Sequence, residues 1–158
     1  MSPKSLLRHP EVISPISDFS KGGFKEVLDD DYADTKQVKR ILFCSGKIYF
    51  DLFHEQQKAK RKDVAIVRIE QLFPFPEKQI SDIRKKYKNC EKAFWVQEEP
   101  ENMGGWQFVK PRLEAVIGTT LKYVGRKAAA SPATGFPMIY RAQQAAISEQ
   151  AFGRFSGK

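Results

Sequence analysis

The sequence predicts an α/β domain of three layers, with helices on both faces of a mostly parallel sheet. Two observations predict it. Short, nearly continuous apolar runs alternate with segments of helical spacing, which is how strands buried on both faces and their crossover helices read. The length of 158 residues suits one core and is too short for two full-sized domains. A hydrophobic fraction of 41% supplies the apolar surface that must offset chain entropy, so the chain is expected to fold.

Residues 1–23 hold Pro3, Pro10, Pro15 and the pair Gly22 and Gly23 without sustained periodicity, and read as an extended lead-in. Residues 24–28 read as a short edge strand, ended by the Asp-rich turn 29–34. The run 38–44 (VKRILFC) is a strand, and Ile48, Tyr49, Leu52, Phe53 and Gln56 follow at helical spacing to about Lys60. The run 64–69 (VAIVRI) is a second strand, followed by a helix carrying Ile80, Ile83 and Tyr87, with Pro76 suited to its first turn. Residues 93–96 (AFWV) form a third strand, 106–117 a helix, 121–124 a fourth strand and 142–152 a closing helix. The domain is expected to span 24–153, with 154–158 as a tail.

A net charge of +8 raises the question of an anionic partner: nucleic acid, a phosphorylated ligand or an acidic protein surface. The basic run from Lys58 to Lys62 falls where a helix should end, and cations there complement the helix dipole. The aromatic residues do not interleave with it as a groove for single strands requires, so no nucleic acid partner is expected, and Trp95 and Trp106 read as core. Cys44 and Cys90 lack a CxxC partner and read as buried free thiols of a reducing compartment. No stretch approaches the roughly 20 apolar residues of a membrane span, and residues 1–13 lack the apolar run of a signal peptide.

In an open parallel sheet, ligands bind beyond the carboxyl ends of the strands, so the residues that follow each strand are the candidates. They are Ser45-Gly46-Lys47, Glu70-Gln71, Gln97-Glu98-Glu99 and Gly125-Arg126-Lys127, which share one edge if the strands are parallel. Ser45, Gly46 and Lys47 at a strand-to-helix turn, with Arg126 and Lys127, suit an anion or nucleotide through free N–H groups, the helix dipole and cationic side chains. The plainer alternative is a tight turn capped by Ser45, its cations already neutralised by Glu98 or Glu99. Glu98 and Glu99 are adjacent on an extended chain and point to opposite sides, so they read as structural ion-pair partners, as do Arg68 and Glu70.

No metal or catalytic site is read from these residues. His54-Glu55 opens something like HExxH, but Lys58 stands at the second histidine position, and His9 has no companion in the lead-in. GxGxxG, a Walker A loop, a nucleophile elbow and the Gly-Asp-Gly that opens a thiamine diphosphate motif are all missing.

Five phrases are far more specific: MSPKSLLRHP (1–10), LFCSGKIYFDL (42–52), DVAIVRIEQLFPFP (63–76), WVQEEPENMGGW (95–106) and LKYVGRKAAASPATGF (121–136). Collinear over nearly the whole chain, they closely resemble the end of the decarboxylating component of the 2-oxoglutarate dehydrogenase family. Other transketolase-like enzymes share the fold but lack the combined EEPENMG and GRKxxASPATG phrases; here Ala129 stands where similar sequences often have another small residue. The family protein is several times longer and Met1 coincides with an internal methionine of the family phrase, so the chain is expected to be an end piece.

The resemblance implies a transketolase C-terminal-domain-like fold, in which a five-stranded sheet has one antiparallel edge strand, a role that residues 24–28 fit. It implies a parent that decarboxylates 2-oxoglutarate on thiamine diphosphate and magnesium and passes the succinyl group to lipoyl-lysine of dihydrolipoyl succinyltransferase, in the cytoplasm of a bacterium or the mitochondrial matrix of a eukaryote. The cofactor would be held by the preceding domains across a homodimer, leaving this domain without cofactor or catalytic residue, with packing as its contribution and, in some members, part of a regulatory site for AMP or acetyl-CoA. The competing reading is a stand-alone nucleotide- or anion-binding α/β module.

Overall fold

The computed structural model describes residues 3–153, so the expected tail 154–158 lies outside the described residues. Five strands, β1 (Val27–Leu28), β2 (Arg40–Cys44), β3 (Val64–Ile69), β4 (Lys92–Pro100) and β5 (Leu121–Arg126), form one sheet in the order β1-β3-β2-β4-β5. β2 through β5 are parallel, and β1 runs antiparallel at the edge, pairing Val27 with Ile69 and Leu28 with Arg68. The helices are α1 (Ser17–Ser20), α2 (Ile48–Lys58), α3 (Glu77–Lys86), α4 (Trp106–Ile117) and α5 (Pro137–Phe152).

The pleat sorts the strand side chains into two cores. Ile41, Phe43, Val67, Ala93 and Trp95 point to the face covered by α3 and α4, where Ile80, Val109 and Leu113 are buried. Leu42, Cys44, Ile66, Phe94 and Val96 point to the face covered by α2 and α5, where Ile48, Leu52, Ile147 and Ala151 are buried. Those are the three layers that the alternation of apolar runs predicts.

β2 starts at Arg40 rather than 38 and β5 runs on to Arg126, and three further boundaries differ from expectation for a local reason. The edge strand is shorter than 24–28: the Glu26 carbonyl accepts from both Glu70 and Gln71 N–H, which ends the ladder there, and Phe24 is exposed. β4 continues past Val96 to Pro100 through a register shift, because the buried Gln97 side chain takes over the bonding. Its amide accepts from Trp95 Nε1 and Trp106 N and donates to the carbonyls of Pro100 and Met103, pinning the loop between β4 and α4. α5 begins at Pro137 rather than near 142, since proline at the first helical position loses no hydrogen bond.

A buried carboxylate locks the Asp-rich turn to the sheet. Asp30 accepts from Tyr32 N, Ala33 N, Gln56 Nε2 and Ile66 N at 2.6–2.9 Å. The lead-in, expected to be extended, is not so throughout but carries a 3-10 turn at Lys4–Leu6 and the short α1, and most of its side chains are exposed. Among the described residues no helix is long and apolar enough to cross a membrane.

Candidate anion site

β2 leads through α2 to β3 on one side, and β4 leads through α4 to β5 on the other, so the carboxyl ends of β2 and β4 flank the point where the strand order reverses. Crevices of this kind are where open α/β sheets take ligands. The turn after β2 needs Gly46, whose φ of +74° is left-handed, and α2 then starts from Lys47 with no side-chain cap, so Ser45 does not cap it.

Lys47 turns toward α5. Its Nζ lies 2.7 Å from Glu98 Oε1 and 3.6 Å from Asp51 Oδ2, and donates to the Tyr140 hydroxyl at 3.2 Å. Tyr140 in turn donates to Glu98, and Gln144 Nε2 donates to both Glu98 and Asp51. Burial works against the ammonium charge, but the hydrogen bond and charge of Glu98, with Tyr140 and Asp51, outweigh it and raise its pKa above the ordinary value. Lys47 is therefore a neutralised cation that ties α2, β4 and α5 together.

Arg126 ends β5 on the other side of the same tyrosine, its guanidinium carbon 5.1 Å from the Tyr140 ring centre. Its Nε and Nη2 are buried and have no hydrogen-bond partner. They border a cleft of about 470 Å3 between β5, the loop 127–134 and α5, in which Thr134 Oγ1 and Gln143 Oε1 are likewise buried without partners. Lys127 is exposed at the rim of this cleft. At Gly125 an added Cβ would overlap the Tyr123 hydroxyl, which donates to the Arg126 carbonyl at 2.8 Å and fixes the backbone from which the guanidinium projects.

The expected site residues are thus divided. Lys47 and Arg126 meet on Tyr140, while Ser45 and Gly46 border a separate cleft of about 520 Å3 with Trp95, Gln97 and Gly104. Glu98 holds Lys47; the Glu99 carboxylate is exposed and pairs with no cation among the described residues. Arg68 Nε lies 2.9 Å from Glu70 Oε1, and its guanidinium carbon lies 4.4 Å from the Tyr49 ring centre. Tyr140 lies in the first turn of α5, ahead of the start expected near 142, and Pro137 is the sequence signal that places it there; Thr134 lies in the loop before α5 and Gln143 within the expected helix, and neither carries a sequence signal of its place in the cleft.

Both cysteines are free thiols; Cys44 is buried as expected, while Cys90, in the turn before β4, is only partly so. His9, expected to stand alone, instead forms with Glu11 and His54 a cluster whose ligand atoms all lie within 4.8 Å of one another, because the fold brings the lead-in against α2.

The sequence model of the family described as 2-oxoglutarate dehydrogenase C-terminal matches residues 13–152. The chain is 42% identical over 160 residues to a 2-oxoglutarate dehydrogenase E1 component of Cupriavidus necator, covering 99% of this chain and 17% of that protein. It is 46% identical over 150 residues to an oxoglutarate dehydrogenase of Buchnera aphidicola, covering 93% and 16% respectively. A 2-oxoglutarate dehydrogenase E1 component of Geobacillus kaustophilus is 45% identical over 152 residues, with the same coverage of 93% and 16%. The chain therefore spans only 16–17% of the length of these relatives.

Proposed function

Because the chain belongs to the 2-oxoglutarate dehydrogenase C-terminal family, we propose that it is the non-catalytic C-terminal domain of an E1 component that decarboxylates 2-oxoglutarate, and that the Arg126 cleft seats a regulatory anion. The observation that carries the anion reading is the pair of buried, unpartnered nitrogens on Arg126. Buried charged donors are stable when they meet an acceptor, and guanidinium matches phosphate oxygens in geometry and charge. Thr134 Oγ1 adds a hydroxyl, and Gln143 Oε1 an acceptor for a sugar or amine donor, which favours AMP or coenzyme A over a bare ion. Lys127 at the rim adds long-range attraction, and Lys47 adds little while Glu98 holds it.

Thiamine diphosphate and magnesium belong to the proposed parent and do not fit the residues present here. Among the described residues the cluster of potential ligands is His9, Glu11 and His54, whose two imidazoles are poor ligands for a cation that demands oxygen donors. In this reading the cofactor lies with the preceding domains. Exposed Phe24, Phe73, Phe136 and Met138 supply apolar surface for packing against those domains or a homodimer partner, in a complex with dihydrolipoyl succinyltransferase. The free thiols fit a reducing compartment, the cytoplasm of a bacterium or the matrix of a mitochondrion.

The test is calorimetric titration of AMP, acetyl-CoA and inorganic phosphate into the wild type, Lys47→Ala and Arg126→Met. Saturable binding that is lost in Arg126→Met and kept in Lys47→Ala supports the reading. Binding unaffected by Arg126→Met, or none in the wild type, overturns it.

A further inference from the structure

We propose that His9, Glu11 and His54 form a site for a divalent transition-metal ion of the zinc type, which ties the lead-in to α2. The chain contains two histidines, and both lie in this one cluster although they come from separate segments, His9 from the lead-in and His54 from the middle of α2. His54 Nε2 stands 3.1 Å from Glu11 Oε2, and the imidazole ring centres are 5.8 Å apart. The His9 ring packs 5.5 Å from that of Phe50, which holds it over the same face of α2, while Glu11 N–H donates to its Nδ1 at 3.3 Å.

Two nitrogens and one carboxylate oxygen are a familiar zinc donor set, leaving a fourth position for water. Metal–ligand bonds near 2.1 Å in a tetrahedron place ligand atoms roughly 3.4 Å apart. The Glu11–His54 pair already has that spacing, and the third ligand atom, within 4.8 Å, needs to move by no more than about 1.5 Å. Imidazole selects zinc, cobalt or nickel over magnesium and calcium. Neither cysteine belongs to the cluster, and Cys44 is fully buried, with burial pushing its thiol up to about 12.

A metal here would act structurally. The lead-in is mostly exposed and touches α2 through few side chains, so one ion bridging His9 and Glu11 to His54 would order it where little else does. This inference stands apart from the family role and from the Arg126 cleft.

The test is titration of the untagged 158-residue protein with Co2+ under visible spectroscopy, followed by competition with Zn2+. One equivalent of Co2+ should give the intense d–d bands of four- or five-coordination, without sulfur-to-metal charge transfer in the near ultraviolet. His9→Ala and His54→Ala should each weaken binding by more than the roughly 10- to 100-fold lost with an outer-shell partner. Zn2+ should also raise the melting temperature of the wild type but not of His54→Ala, whose side chain is 55% exposed, so the variant should fold. The weak spectrum of octahedral aquo-cobalt, a thiolate charge-transfer band, or undiminished affinity in His54→Ala would each overturn the proposal.

Discussion

The Lys47 ammonium lies 2.7 Å from the Glu98 carboxylate, joining the turn after β2 to the end of β4 across the place where the strand order reverses. Their side chains are 22% and 20% exposed, between a surface pair and a buried one. Glu98→Gln should therefore destabilise the fold by about 1 to 3 kcal/mol, between the roughly 0–1 of exposed pairs and the roughly 3–5 of a broken buried pair. It should also free Lys47 to turn to the cleft and strengthen phosphate binding. Urea unfolding and phosphate titration of the variant check both; a stable variant with unchanged anion affinity would contradict this account.

Arg68 and Glu70 are 24% and 27% exposed, so their 2.9 Å pair contributes less than a buried one. Arg68 also stacks on Tyr49. Arg68→Ala should lower stability by about 1 to 2 kcal/mol through the ion pair and the cation–π contact together. An unchanged melting temperature would refute this structural role.

Asp30 satisfies two turn amides, a strand amide and the Gln56 side chain at once. Asp30→Ala strands several of those donors in the interior, and each unsatisfied group costs about 1 to 3 kcal/mol. A total loss of roughly 3 kcal/mol or more is expected in urea unfolding, among the largest for any single side chain outside the apolar core. A loss under about 1 kcal/mol would show that the turn is held by something else.

The Cys44 thiol, with its folded-state pKa raised from 9.0 to about 12, is stabilising in its neutral form. A raised folded-state value means that this contribution is complete below the unfolded value near 9 and declines as pH rises toward about 12. Tyr87 is shifted upward as well, by burial and the neighbouring Asp29, and acts in the same direction. Stability should thus fall between pH 8 and pH 10.5, and a thiol reagent at pH 8 should modify Cys90 slowly, since partial burial raises its pKa, and Cys44 only on unfolding. Rapid labelling of both thiols in the folded protein would contradict the burial of Cys44.

Much of this was legible before the structure. Continuous apolar runs such as VAIVRI at 64–69 leave little choice but a central parallel strand, and that strand's observed bounds are the expected ones. The antiparallel edge followed from family resemblance, and its length depended on one carbonyl, Glu26, that no pattern reveals. The site was half visible. A lysine after one strand and an arginine after another could be named from their positions, because parallel strands bring their carboxyl ends to one edge. That Glu98 holds Lys47 while Arg126 keeps unpartnered donors depends on Tyr140 and Gln144 of α5, contacts made across more than 40 residues of sequence. The meeting of His9 with His54 depends on tertiary folding in the same way.

The measurement that bears most directly on the central claim, that this domain leaves the chemistry to other parts of its proposed parent, is calorimetric titration of the chain with thiamine diphosphate and Mg2+, with carbon dioxide release from 2-oxoglutarate assayed in the same samples. The account predicts no magnesium-dependent binding and no release, since among the described residues the cluster of potential metal ligands, His9, Glu11 and His54, offers two imidazoles where magnesium demands oxygen donors. Saturable, magnesium-dependent thiamine diphosphate binding, or decarboxylation by the chain alone, would contradict it.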